Sequence, residues 1–276
     1  MASALSDGTT PYFARIATGQ QAGRIMRITA NTSNSITVDV TDNTNQTTAL
    51  GYSGFSLSAG DTIEIFKGNT LASLFGDGTA NNPLRVQGGS TQSNADQIGI
   101  YSKTTSQTYY YYFNTNSSDW RVSNNAWPQN NFIIYPEYAI AIVRPVSSTG
   151  ALRLSFLGEI PAISPLTKNT GQNYYSVSVN RFPCSIALAD MKAPAWNVST
   201  SPFSADTLGL ANNTTGVVSA YFKKPDLQWY KAGGGTITYS DLLIGAGDYI
   251  GFQRRSVISG PNSFVTWPLP YNLNNL

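Results

Sequence analysis

The sequence contains no histidine. That removes Ser-His-Asp and Cys-His nucleophilic catalysis, imidazole-ligated zinc, and the side chain that most often acts as general base near neutral pH. Cysteine is nearly absent as well. Cys184 stands alone, so neither an intrachain disulfide nor a thiolate metal cluster is available, and its apolar setting, Phe182-Pro183-Cys184-Ser185-Ile186, reads as core. Charged residues make up 12% of the chain, about half the usual share. The net charge is +2 and no basic run occurs; Lys223-Lys224 and Arg254-Arg255 are isolated pairs. The clustered basic footprint of a nucleic-acid binder is therefore missing. No segment reaches the ~18 continuous apolar residues of a membrane helix, so membrane insertion is not expected. No charged-then-apolar signal peptide is present, so an exported protein of this sequence is expected to be a mature or trimmed chain. Phosphate-cradling and dinucleotide fingerprints are missing too, as is the Gly-x-Ser-x-Gly elbow; Gly51-Tyr52-Ser53-Gly54 does not match it.

Asn, Ser, Thr, Gly and Tyr occupy the space left by charge. Hydrophobic residues still reach 41%, enough to build a core, so global disorder is not expected. The dominant pattern is an internal repeat. Ala95-Asp96-Gln97-Ile98-Gly99-Ile100 leads through Tyr109-Tyr110-Tyr111-Tyr112-Phe113 and Asp119-Trp120 to Ala139-Ile140-Ala141-Ile142-Val143-Arg144. Ala205-Asp206-Thr207-Leu208-Gly209-Leu210 leads likewise through Ala220-Tyr221-Phe222 and Gln228-Trp229 to Tyr249-Ile250-Gly251-Phe252-Gln253-Arg254. The offset is 110 from Asp96 to Asp206, 109 from Trp120 to Trp229 and 110 from Arg144 to Arg254. Upstream, Gly60-Asp61-Thr62-Ile63-Glu64-Ile65 echoes the run beginning Gly171-Gln172-Asn173, and Thr70–Gly76 echoes Cys184–Asp190.

Period-two alternation marks strands throughout. Before the first copy these are residues 12–16, 24–28, 36–40 and 62–66, the last three read as an antiparallel meander with one buried face and Glu64 outward. Residues 152–158 read as another strand, between the copies. No amphipathic helix is evident beyond a possible turn at residues 70–76. The expectation is an all-β fold of two tandem, internally repeated antiparallel units, each a sandwich or small barrel, with extended terminal segments. The expected boundaries are an N-terminal extended segment over 1–22, a first unit over 23–145, a second over 146–255 and a C-terminal extended segment over 256–276.

No catalytic site is assigned. A carboxylate pair can hydrolyse glycosides, but besides the aspartates the candidates are only Glu64, on a strand, Glu137, in a turn, and Glu159. Asp96 and Asp206 are repeat-equivalent, which points to a repeated structural job such as accepting turn N–H groups. No cofactor is expected. Calcium is a weak candidate at Asp39, Asp42, Asn43 and Asn45 or at Asp77–Asn82, whose spacings do not match a calcium loop. Among the aromatics, alternate rings of the Tyr109–Tyr112 run face opposite ways, and Trp120 and Trp229 recur, which suits core packing. Trp127 and Trp267 have no repeat partner. With Tyr12, Phe13, Ile16, Phe264, Val265, Leu269 and Tyr271 they are the candidate subunit-interface residues.

The residues forming the repeat also resemble a known family. Gly60-Asp61-Thr62-Ile63-Glu64-Ile65, Thr70-Leu71-Ala72-Ser73-Leu74-Phe75, Ala95 to Tyr101, the Tyr-rich strand, Trp120-Arg121, Gly171-Gln172-Asn173 and Phe182-Pro183 are similar to motifs of an uncharacterised family of secreted bacterial all-β proteins. The second copy departs from the pattern at Thr207-Leu208-Gly209-Leu210-Ala211 and at Tyr230, where the motif has Arg. The resemblance implies an extracellular or cell-surface protein and supplies no activity. The reading that follows is a non-enzymatic, exported structural protein whose partner is itself, in a surface fibre, sheath or coat, with strand addition by residues 10–18 or 263–271. The alternative is an adhesive module that binds surface glycans through Tyr and Trp faces.

Overall fold

Apolar and β-branched residues alternate with polar ones in short runs, and Asn, Gly, Asp or Pro breaks each run, so strands are the main regular element. In the computed structural model, described residues are 5, 9–19, 22–39, 57–102, 107–154, 166–169, 175–212, 215–255 and 264–270, apart from positions 124, 126, 137, 139, 147, 149, 150 and 194. The chain divides into two compact units. One comprises Met1–Phe13, Arg27–Asp39 and Ile65–Glu159; the other comprises Ala14–Met26, Val40–Glu64 and Ile160–Leu276. The first repeat copy lies wholly in the former and the second wholly in the latter. No described helix is long and apolar enough to cross a membrane.

The strands β1 (Tyr12–Ile16), β2 (Ile25–Asn31), β3 (Ile36–Asp39) and β4 (Ile63–Lys67) form one sheet in the order β3-β2-β1-β4. The expected meander is altered in two ways. β1 lies between β2 and β4, and β4 turns its isoleucines outward: Ile63 and Ile65 are 39% and 45% exposed. Glu64 faces Arg15 instead of solvent, with Nε donating to Oε2 at 2.6 Å, and Phe66 stacks on Phe13 with ring centroids 5.8 Å apart. An ion pair and an aromatic contact on one face outweigh the preference of two isoleucines for the other.

In the first unit follow β5 (Asn69–Thr70), α1 (Leu71–Phe75), β6 (Gln97–Ser102), β7 (Gln107–Asn114), β8 (Asp119–Val122), β9 (Ile133–Ile134) and β10 (Ile140–Val143). The order β10-β6-β7-β8 makes a four-stranded sheet, and β5 pairs with β9. Helix α1 starts where Thr70 Oγ1 accepts from the Ser73 N–H at 3.2 Å while Ser73 Oγ accepts from the Thr70 N–H at 2.7 Å. It ends at Gly76, whose φ of 93° and close approach to the Pro83 carbonyl leave no room for a Cβ. The Gly76 carbonyl accepts the Trp120 indole N–H at 2.7 Å. Trp120, Phe75, Leu71, Ile98 and Phe113 are buried together in one core. The Tyr run divides as alternation requires: Tyr111 is buried and packs on Phe132, and Tyr109 packs against the same core.

The second unit adds β11 (Leu166–Asn169), β12 (Tyr175–Val179), β13 (Ile186–Ala187), β14 (Thr207–Ala211), β15 (Val218–Lys223), β16 (Trp229–Lys231), β17 (Leu243–Ile244), β18 (Tyr249–Gln253) and β19 (Phe264–Trp267). The order β12-β18-β14-β15-β16 makes a five-stranded sheet, β13 pairs with β17, and β11 pairs with β19. Of the predicted strand 152–158, the described residues 151–154 form no strand, although Leu152 and Leu154 pack on the first core; residues 155–158 lie outside the described residues.

The repeat holds down to single hydrogen bonds. Leu71 N–H donates to Phe132 O at 3.0 Å, as Leu188 N–H does to Leu242 O at 2.9 Å. Gln129 N–H donates to Trp120 O at 2.7 Å, as Tyr239 N–H does to Trp229 O at 2.8 Å. Asp96 accepts the Gln87 N–H and Asp206 the Asn197 N–H, each at 2.9 Å. The chain is therefore an all-β protein made of two internally repeated antiparallel units. Among the described residues no sheet closes into a barrel, so the open sheets fit the sandwich and not the barrel.

Candidate functional site

The two copies differ most at one edge. β10 pairs with β6 as Ile140↔Ile100, Ala141↔Gly99, Ile142↔Ile98 and Val143↔Gln97. β18 pairs with β14 in the equivalent register, Ile250↔Leu210 through Gln253↔Thr207. β18 also has a strand on its other side: β12 runs antiparallel to it, from Tyr175↔Gln253 to Val179↔Tyr249. Among the described residues no strand lies on the other side of β10. The segment that echoes β12 in sequence is β4, and it lies beside β1 in a different sheet. Ile250 and Phe252 are thus fully buried, whereas their counterparts Ile140 and Ile142 are 36% and 38% exposed and Val143 is 41% exposed. All four residues of β10 are exposed. Sheet edges are normally blunted by charge, proline or a cover, because unpaired N–H and C=O groups template further pairing. β10 carries no charge in its four residues.

The charges nearest this edge are neutralised beside it. Arg144, the residue after β10, sits with Nε 3.1 Å from Asp96 Oδ1, and Ser148 Oγ donates to the same oxygen at 3.3 Å. The equivalent pair is more enclosed. Arg254 Nε lies 2.8 Å from Asp206 Oδ2 with both side chains fully buried, and the guanidinium sits 5.0 Å from the Trp196 ring centroid. Burial lowers the Arg254 pKa and the Asp206 carboxylate opposes that shift. Both aspartates accept turn N–H groups and pair with arginines.

Of the other candidate carboxylates, Glu64 is tied to Arg15, and Glu137 and Glu159 lie outside the described residues. Of the oxygen-rich loops, residues 42, 43 and 45 lie outside the described residues, and Asp77 Oδ1 accepts from both N–H and Oγ1 of Thr79, at 3.0 and 2.7 Å. Those bonds lower the Asp77 pKa. Among the described residues no three His, Cys, Asp or Glu side chains cluster to hold a metal ion. A cavity of about 70 Å³ lies among Thr9, Thr10, Arg27, Thr70, Asn131 and Ile133, well below the ~300 Å³ of a small-molecule site.

The predicted interface residues separate by burial. Phe13, Ile16, Val265 and Trp267 are buried within their own chain, and Trp267 donates its indole N–H to Ala187 O at 2.9 Å. Tyr12 and Leu269 are half-buried, Phe264 pairs with Asn169 in the β11–β19 ladder, and Tyr271 lies outside the described residues. Trp127 is 76% exposed; its N–H donates to Asn125 Oδ1 at 2.9 Å, and Gln129 Nε2 donates to its carbonyl at 3.2 Å. The same loop position in the second copy carries Ile237, 63% exposed. Sequence reasoning missed Ile237, Ile140, Ile142 and Val143. A four-residue apolar strand looks the same whether covered or open, and only the distant placement of β4 distinguishes the two. No family model, curated protein or solved structure matches the chain.

Proposed function

We propose that the chain is an exported structural protein that assembles with copies of itself into a surface fibre, sheath or coat. The observation that carries this reading is the uncharged, exposed outer edge of β10, at the position that β12 covers in the other copy. Low charge and a Tyr- and Asn-rich composition suit a protein whose work is contact. The terminal strands β1 and β19 are paired in their own chain, so their participation takes the form of exchange between subunits. Negative-stain micrographs and sedimentation velocity over a hundredfold concentration range test the reading. Growing oligomers or ordered fibres are expected, and a single monomeric species at every concentration contradicts it.

A second reading, a glycan-binding or adhesive module, rests on Trp127, an exposed ring on a loop whose backbone N–H and carbonyl are held by the side chains of Asn125 and Gln129. Stacking on a sugar face predicts glycan-array binding that Trp127→Ala abolishes. An array without hits removes this reading and leaves the first.

A further inference from the structure

We infer that the outer edge of β10 is a self-docking surface, on which β10 of a second copy pairs antiparallel about a two-fold axis through Ala141. The inference rests on the self-assembly reading and supplies its contact. Three features of the edge select this occupant. The first is charge: Ile140-Ala141-Ile142-Val143 is neutral throughout, so two identical edges meet without repulsion, whereas a charged strand would leave its charges on apolar side chains. The second is direction. A two-fold axis normal to a sheet sets a strand antiparallel to itself, the same sense in which β12 covers β18. The third is length. Pro136 and Pro145 bracket the strand, and proline has no N–H to continue a ladder. The fitting partner has the same short span, and β10 itself meets that requirement.

Charge also fixes the register. With the axis at Ala141, Ile140 lies opposite Ile142 of the partner subunit on one face, and the smallest side chain of the strand sits where the two backbones approach. An axis one residue later would set Arg144 against the partner's Ile140 and draw that guanidinium from Asp96. The joined sheet runs β8-β7-β6-β10 and back through the partner's four strands. The area is modest. Four edge residues about two-fifths exposed offer on the order of 300 Å² per copy, below the ~800 Å² per partner of a stable complex. Pairing through β10 alone is therefore weak and concentration-dependent, and it becomes durable only where other contacts add to it, as in a coat or fibre.

Disulfide trapping captures a weak contact of this kind. Cys184 is the sole cysteine, so Cys184→Ser gives a clean background for Ala141→Cys. Directly opposed residues of an antiparallel pair have Cβ atoms about 4.5–5.5 Å apart, close enough for a disulfide to form with small adjustment. Under mild oxidation of concentrated protein, the Ala141→Cys chain is expected to dimerise at least tenfold faster than an Asn116→Cys control, which sits in the exposed β7–β8 turn. Adding Ile142→Lys should suppress that cross-link while leaving circular dichroism and the melting curve close to those of the parent. A benzophenone on the introduced thiol identifies the occupant by mass spectrometry. Adducts within residues 140–143 support the pairing; adducts within residues 12–16 or 264–267 name an exchanged terminal strand instead and overturn it. Dimerisation no faster than the control, or untouched by Ile142→Lys, also overturns it. If the parent protein nevertheless forms larger species by sedimentation, only this inference fails; if it stays monomeric throughout, the self-assembly reading fails as well.

Discussion

One repeat, folded twice in the same chain, ends with one edge strand covered and the other, among the described residues, without a second neighbour. β18 lies between β14 and β12. β10, with the equivalent register on its inner side, has β6 as its one strand neighbour among the described residues. The inner halves of the two sheets are near copies because Asp96/Asp206, Trp120/Trp229 and Leu71/Leu188 make the same backbone contacts. The covers differ because β4 and β12, similar in sequence pattern, lie in different sheets. Duplication thus provides an internal control: positions 140–143 show what 250–253 look like without their neighbour.

That comparison breaks most sharply at the strand itself. Phe252→Ala removes a fully buried ring and is expected to cost about 3–5 kcal/mol. Ile142→Ala at the matching place should cost about 1 kcal/mol or less, because its side chain is already partly in water. Denaturant unfolding of both variants measures the gap, and equal losses would mean that β10 is as enclosed as β18.

The acidic anchors come next. Asp206→Ala leaves Arg254 charged and enclosed, an expected loss of about 3–5 kcal/mol. Asp96→Ala removes the partner of Arg144, whose side chain is already 27% exposed, so a smaller loss of about 1–2 kcal/mol is expected. A smaller difference separates the tryptophans. Trp120→Phe orphans the buried Gly76 carbonyl, whereas the Trp229 indole N–H meets no acceptor among the described residues. Trp120→Phe should therefore be worse than Trp229→Phe by about 1 kcal/mol in the same assay.

The smallest effect is a pH dependence. Arg121 lowers the Asp119 pKa through hydrogen bonds of 2.7 and 3.1 Å; the second copy has Gln228 and Tyr230 at these places. A carboxylate with a depressed folded pKa stabilises above the unfolded carboxylate range, and that contribution is lost as pH falls through the lower folded value. Arg121→Gln should be slightly less stable than the parent at neutral pH, and denaturant unfolding should show the two converging as pH falls from the ordinary carboxylate range through the lower folded value of Asp119.

Local pattern made strands legible, since alternation placed β1, β3 and β4 within a residue of where they lie. The repeat also identified Trp120 and Trp229 as core. What pattern could not reach was non-local. The outward face of β4 depends on Arg15 and Phe13, some fifty residues away in sequence. The strand partner of β19 is β11, about a hundred residues earlier. The exposure of Ile140 and Ile142 follows from a neighbour placed elsewhere, which no residue within β10 records. Trp127 was legible because an unduplicated aromatic in an Asn/Pro-rich loop stands out; Ile237, at the same loop position, is too ordinary a residue to attract notice.

Amide hydrogen exchange on β10 and β18 tests the asymmetry most directly. In dilute protein the N–H groups of β18 should be protected along its length, because strands flank it on both sides, while alternate N–H groups of β10 exchange close to the free rate. Raising the concentration should slow those β10 amides alone. Protection of β10 equal to that of β18 in dilute protein would contradict the account.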